Sequence, residues 1–94
     1  MKANAILINT SRGPIIDEAA LVQALQEKRI GGAGLDVFDR EPLPIDHVFR
    51  KFDNVVLTPH LGYVTEESYK IYFSDMVENI AAYLAGAPIR MLKP

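Results

Sequence analysis

The sequence predicts an α/β fold in which a parallel sheet of about three strands is followed by a long C-terminal helix. Three apolar runs, at residues 5–8, 33–38 and 55–58, have the length and composition of β-strands. A helical periodicity separates the first two runs, and a second one follows the third. This alternation is typical of a parallel sheet, with a right-handed first crossover.

The first strand is predicted at residues 5–8, where apolar residues occur without polar alternation. Such a run is typical of a strand that is buried on both faces. The first helix is predicted to begin at an N-cap, Asp17, and to end at Gly31-Gly32. Its predicted buried face consists of Leu21, Ala24 and Leu25.

The second and third strands are joined by a connection, residues 39–54, that is rich in turn signals. Three apolar residues are predicted to pack it down as one helical turn: Val48, Phe49 and Phe52. Thr65 is predicted to cap the last helix and Gly86 to end it, a span of about 20 residues or about 30 Å. The aromatic residues of this helix are predicted to lie in the core: Tyr69, Tyr72 and Phe73.

At 94 residues the chain amounts to one domain or less. Three strands are few for an open sheet, because both faces of such a sheet need covering. We therefore expect the chain to be a piece of a larger sheet, with residues 1–4 forming the tail of a preceding helix.

The composition excludes several classes of function. The net charge is −2 and the basic residues form no stripe, so nucleic acid is not an expected partner. The absence of cysteine removes disulfides, thiolate metal ligands and cysteine nucleophiles, and we predict no metal site. The sequence contains no signal-peptide core and no apolar stretch of membrane-spanning length. The prediction is therefore a cytoplasmic protein with no membrane partner.

Three short motifs follow or contain the ends of the predicted strands: INTSRG at 8–13, GLDVFDREPLP at 34–44 and LTPHLG at 57–62. They place Arg12, Glu41 and His60 just past strand termini. The carboxyl ends of parallel strands share one edge of the sheet, where ligands bind. These three residues are therefore expected to converge on one pocket.

Their chemistry suits an acid substrate. Arg12 presents a planar fork for a carboxylate, His60 can move a proton, and a carboxylate such as Glu41 favours the imidazolium and fixes its tautomer. Taken singly, each residue also has a simpler interpretation as a solvated arginine, an exposed loop carboxylate or a histidine bonded to backbone. The combination of all three favours catalysis. His47, which lies outside any motif, is interpreted as a surface or packing residue.

Asp36 and Gly62 each have two possible interpretations. Asp36 lies inside an apolar strand and needs partners, either a neighbouring loop or a bound ligand. Gly13 and Gly62 are predicted to be turn residues that need a permissive backbone, and Gly62 could also allow a ligand to approach closely.

The three motifs together resemble the C-terminal half of the NAD-binding domain of D-isomer-specific 2-hydroxyacid dehydrogenases. The similarity runs through MKANAILINTSRGPIIDEAALVQAL, GGAGLDVFDREPLP and NVVLTPHLGYVTEES, in order, and covers nearly the whole chain. It implies a partial Rossmann-type sheet over residues 1–94, ending in a helix that returns toward a substrate domain. It also implies a small 2-hydroxy or 2-keto acid as substrate, NAD as cofactor with NADP not excluded, and a possible homodimer.

The resemblance also implies a role for each matching residue. Arg12 would bind the substrate carboxylate and carbonyl, His60 would be the general acid/base, and Glu41 would pair with it. The implied cofactor contacts are Thr10, Ser11, Arg12, Asp36, His60 and Gly62, with Asp36 on the nicotinamide carboxamide.

One part of the family pattern does not occur. The sequence contains no Gly-x-Gly-x-x-Gly loop, no acidic ribose-binding residue after such a loop, and no substrate domain. We therefore expect a fragment of an oxidoreductase whose isolated 94 residues are inactive.

Two alternatives remain open. One is a non-catalytic truncated or split module that folds or associates only with a complementary half. A weaker one is a hydrolase that uses Ser11 with His60 and Glu41, although a nucleophile-elbow sequence is missing.

Overall fold

The computed structural model describes residues 1–93, which form two units: one from Met1 to Gly62 and one from Tyr63 onward. The first unit contains strand β1 (Ile6–Asn9), helix α1 (Glu18–Gln26), strand β2 (Gly32–Leu35) and strand β3 (Val55–Leu57). All strands are parallel, in the order β1-β2-β3. The predicted α/β class with a three-stranded parallel sheet is confirmed.

Helix α1 begins as predicted but ends earlier. The Asp17 carboxylate accepts a hydrogen bond from the Ala20 N–H at 3.0 Å, and Leu21 and Leu25 are buried. The helix ends at Gln26, and Lys28 takes a left-handed φ of 52°. The prediction that Gly31-Gly32 ends it is therefore wrong, because Gly32 instead begins β2.

The sheet is covered by the core on one face. Leu21 and Leu25 pack with Leu35 in this core, whereas Ile6 and Ile8 on the other face of β1 are 61% and 71% exposed. The prediction that β1 is buried on both faces is therefore wrong for this chain. An apolar run without alternation identified the strand but not the faces that are covered.

Strand β2 is shorter than predicted, because its pairing ends at Leu35. The following residues, Asp36, Val37 and Phe38, are buried although they lie outside the strand. Residues 3–4 form a turn, so the prediction that residues 1–4 are the tail of a helix is not supported by the local backbone.

The connection between β2 and β3 contains the predicted helical turn, a 3₁₀ helix at Val48–Lys51. Phe49 is 1% exposed and anchors it in the core. His47 caps the turn by accepting a hydrogen bond from the Phe49 N–H, and its other ring nitrogen lies 2.9 Å from Glu18 on α1. His47 is therefore half-buried and structural, as interpreted.

The second unit contains helix α2 (Glu66–Leu84). Thr65 caps it and Gly86, with φ of 74°, follows its end, both as predicted. No residue of α2 is buried, so the predicted core position of Tyr69, Tyr72 and Phe73 is wrong. Within the described part of the chain, neither helix combines the length and apolarity needed to cross a membrane.

We predict that Phe49→Ala lowers the free energy of unfolding by about 3–5 kcal/mol, because it empties the most buried side-chain position of the core. Urea unfolding followed by circular dichroism measures this change. Ile45→Ala is the matched control, since Ile45 is 92% exposed in the same connection. Equal unfolding midpoints for the two variants would contradict the prediction.

Candidate active site

The loop after β1 is organised by a buried side chain that the sequence analysis did not single out. Asn9 donates a hydrogen bond to the carbonyl of Arg12 at 2.9 Å and accepts one from the Ser11 N–H at 3.1 Å. The nitrogen and the oxygen of the side-chain amide of this 6%-exposed residue are therefore both used to shape the loop. The available signal was its place as the first polar residue after an apolar strand.

Gly13 lets this loop approach the loop after β2. A Cβ atom placed on Gly13 would lie 2.1 Å from the carbonyl carbon of Phe38, closer than any real contact. Neither Gly13 nor Gly62 takes a left-handed φ, so the prediction that both need a permissive backbone is wrong. Gly13 instead provides space for a close backbone contact.

The carboxylate of Asp36 holds the loop after β3. It accepts hydrogen bonds from the Thr58 hydroxyl, from the Leu61 N–H at 2.8 Å and from the Gly62 N–H at 2.9 Å. The Thr58 hydroxyl, followed by the two N–H groups, lowers the pKa of Asp36 below its usual value. Of the two interpretations left open for Asp36, the neighbouring loop accounts for these contacts.

The same loop carries His60 in a strained conformation. Its φ is 60°, in the left-handed region that residues other than glycine seldom adopt. The two N–H groups that bind Asp36 belong to the next two residues, Leu61 and Gly62. Such successive N–H groups form a concave anion-binding arrangement, so Asp36 stabilises the backbone that presents His60.

Glu41 and His60 form a direct pair. Nδ1 of His60 lies 2.7 Å from Oε2 of Glu41, and Oε1 of Glu41 accepts a hydrogen bond from the Phe38 N–H at 2.9 Å. His60 and then the Phe38 N–H lower the pKa of Glu41, which is therefore ionised near neutral pH. An ionised carboxylate can only accept, so Nδ1 carries the hydrogen and Nε2 is the nitrogen on the other side of the ring.

Arg12 lies on the same edge of the sheet. Its guanidinium is exposed and donates to the Ser11 carbonyl at 2.6 Å, and its positive charge contributes to lowering the pKa of Glu41. Thr10 and Ser11 are exposed in the same loop. The structure therefore brings Glu41 and His60 into contact and places Arg12 in the neighbouring loop. Arg12 does not line the cavity beside the pair, so the convergence of all three residues on one pocket stays a prediction.

A cavity of about 510 Å³ adjoins the Glu41–His60 pair. Its walls include both members of the pair, Leu43, Thr58 and the charged side chain of Arg50. The sequence analysis did not single out Arg50, because it lies in the connection and outside the three motifs.

Comparisons with known proteins show the family and the fold to which the chain is similar. The sequence model of the family described as D-isomer specific 2-hydroxyacid dehydrogenase, NAD binding domain, matches residues 1–62. Glyoxylate/hydroxypyruvate reductase B of Enterobacter agglomerans is 51% identical over 86 residues, which are 92% of this chain and 27% of that protein. The chain thus spans about a quarter of the length of such curated relatives.

Solved structures share the fold. The D-lactate dehydrogenase with NAD+ from Lactobacillus jensenii is 30% identical, with a TM-score of 0.84 over 100% of this chain and 32% of that chain. The acyclic imino acid reductase (Bsp5) in complex with NADPH and D-Arg is 40% identical, with a TM-score of 0.84 over 99% of this chain and 29% of that chain.

We predict that Asp36→Asn lowers stability at neutral pH and that the loss shrinks in acid. The lowered pKa of Asp36 means that its contribution is present above the unfolded value, about 3.9, and is lost as the pH falls through the folded value. Urea midpoints of parent and variant should therefore converge as the pH falls below about 3.9. Asp53→Asn, at an exposed site, is the control. A gap that is independent of pH would contradict this assignment.

Proposed function

Because the chain belongs to the D-isomer-specific 2-hydroxyacid dehydrogenase family, we propose that it carries the catalytic residues for hydride transfer between NAD(H) and a D-2-hydroxy acid or 2-keto acid. The contact between Glu41 and His60 at 2.7 Å, with Arg12 in the neighbouring loop, is the observation that carries the proposal. An acid/base group, its carboxylate partner and a carboxylate-binding cation meet at one sheet edge.

His60 is the proposed acid/base group. In the reduction of a 2-keto acid, the imidazolium donates the proton on Nε2 to the carbonyl oxygen as hydride reaches C2. In the oxidation of a 2-hydroxy acid, the neutral ring takes the hydroxyl proton. Glu41 holds Nδ1–H throughout, which fixes the tautomer and stabilises the charged ring.

Arg12 is the proposed carboxylate clamp. Its guanidinium uses Nη1 on the Ser11 carbonyl and offers further N–H donors in a planar fork. This geometry suits bidentate binding of the substrate carboxylate, and the positive charge also polarises the keto oxygen. Binding by Arg12 would therefore orient C2 toward the group that delivers hydride.

The chain's residues fit one end of a nicotinamide dinucleotide. Such a cofactor, when bound, supplies or accepts the hydride. Thr10, Ser11 and Gly62 lie in the loops at the carboxyl edge of the sheet, as do Arg12 and His60, and together these residues would hold the nicotinamide end. Asp36 retains acceptor capacity on Oδ2, which makes one hydrogen bond here, so it can also accept from a carboxamide N–H.

A Gly-rich pyrophosphate loop does not occur in these 94 residues, so holding the rest of the cofactor falls to other parts of a whole enzyme. For the same reason the choice between NAD and NADP is not made by the residues named above. The proposal places the chain in a cytoplasmic enzyme that acts on small molecules and can dimerise.

The alternative is a non-catalytic module that associates with a complementary half. The intact set of Arg12, Glu41 and His60 favours catalysis over this alternative. One solved structure of similar fold is named an imino acid reductase, so similar chains differ in their substrates. We therefore propose the class of 2-keto acids as substrates and no single compound.

A chimeric reductase tests the proposal. We expect that residues 1–94, placed in the matching segment of the Enterobacter agglomerans reductase, reduce glyoxylate or hydroxypyruvate with NADH or NADPH, whereas the isolated chain does not. Arg12→Lys should lower kcat/KM about a hundredfold, because lysine keeps the charge and loses the fork. The readout is nicotinamide absorbance.

Arg29→Lys is the control for this substitution, since Arg29 is exposed and forms an ion pair with Glu27 at 3.2 Å. A folded chimera without turnover would favour the non-catalytic module. Unchanged kcat/KM in Arg12→Lys would remove Arg12 from its role.

We also predict a catalytic effect for Glu41→Gln in this chimera. Reduction needs the imidazolium, whose Nδ1–H is held by the Glu41 carboxylate at 2.7 Å, and glutamine keeps the size of that partner but loses its charge. The kcat for keto-acid reduction should therefore fall about tenfold. Glu27→Gln, at an exposed residue just after α1, should leave kcat unchanged. Equal kcat values for parent and Glu41→Gln would separate Glu41 from the acid/base step.

A further inference from the structure

We infer that Arg50 is a positioning residue for the acid/base pair, because its guanidinium clamps the segment that carries Glu41. This inference rests on the proposed function. Arg50 Nη2 donates to the Leu43 carbonyl at 2.9 Å, and its Nε donates to the Pro44 carbonyl at 3.0 Å. Two adjacent carbonyls just after Glu41 are thus held by one side chain.

The sequence of this segment explains why a side chain is needed. Residues 41–44 read Glu-Pro-Leu-Pro, so two of the four have no N–H to donate. The prolines interrupt the series of N–H donors that a β-ladder needs, so the carbonyl groups are the main hydrogen-bonding groups of this segment. The backbone contributes one such bond, from the His47 N–H to the Pro44 carbonyl at 3.1 Å. Arg50 adds the other two.

The backbone of Arg50 is anchored in the core. It belongs to the 3₁₀ helix at Val48–Lys51, and its neighbour Phe49 is the most buried side chain of the core. His47 caps the same turn and contacts Glu18 on α1. The clamp therefore links the Glu41 segment to the core, whereas the tip of the connection at Asp39 and Arg40 is exposed.

A shift of the Glu41 backbone would lengthen the hydrogen bond between Glu41 and His60. The Glu41 carboxylate spans the Phe38 N–H and His60 Nδ1, with bonds of 2.9 and 2.7 Å. Release of the carbonyls that follow Glu41 would let its backbone move while His60 stays fixed by Asp36. The pair would then lengthen, and the imidazolium would lose its partner.

A double-variant comparison separates positioning from an independent effect of the Arg50 charge. If Arg50 acts through the Glu41 carboxylate, removing Arg50 costs nothing further once that carboxylate is gone. An independent effect of the Arg50 charge would instead add to the loss.

The test uses the chimeric reductase, whose activity as the parent establishes the proposed function independently. We expect Arg50→Gln to lower kcat about tenfold, with KM for NADH unchanged. In a Glu41→Gln background, Arg50→Gln should cause no further loss of kcat, because both changes act through one carboxylate. Lys51→Gln, the next residue on the same turn, is the control.

Arg50→Lys separates the fork from the charge. A single ammonium cannot hold both carbonyls with the same geometry, so this variant should resemble Arg50→Gln. Parent-like kinetics of Arg50→Lys, a raised KM for NADH with unchanged kcat in Arg50→Gln, or an additive loss of kcat in the double variant would each overturn the inference. Unfolding of both Arg50 variants in a thermal melt would also overturn it, since Arg50 would then serve stability alone.

Discussion

The hydrogen bonds from the loop after β3 to the Asp36 carboxylate are the interaction on which the site depends. They join the end of β2 to the loop that carries His60 and stabilise a left-handed backbone conformation that residues other than glycine seldom adopt. Glu41, which follows β2, can reach the ring because both loops start from paired strands. A site assembled in this way lies at the carboxyl edge of the sheet.

Two layers of support surround this edge. The side chains of Asn9 and Asp36, both buried at strand ends, turn the chain into the loops that present Arg12 and His60. Farther out, Arg50 and His47 tie the proline-containing connection to the core. The side chains of the first layer, Asn9 and Asp36, are short and lie at strand ends. Those of the second layer, His47 and Arg50, are longer and extend from the 3₁₀ helix. The residues proposed to touch a substrate therefore lie on loops that are hydrogen-bonded to buried side chains.

Much of this could be predicted from the sequence. Periodicity located the strands and helices, and the strand-end argument brought Arg12, Glu41 and His60 to one edge, because local apolar runs determine where parallel strands end. Burial was harder to predict, since the exposure of Ile6 and of the aromatic residues of α2 depends on which surfaces are present to cover them. The grip of Arg50 on two carbonyls could not be predicted either, because a bond that spans six or seven residues in a loop leaves no periodic signal.

The left-handed backbone at His60 affects how any substitution of this residue must be interpreted. Asparagine tolerates this region better than most side chains, whereas β-branched residues resist it. Replacement by valine would therefore combine loss of the imidazole with distortion of the two N–H groups that bind Asp36. Replacement by asparagine would remove the proposed proton-transfer group while leaving the peptide geometry intact. The chemical role and the conformational role of one residue can thus be separated by the choice of its replacement.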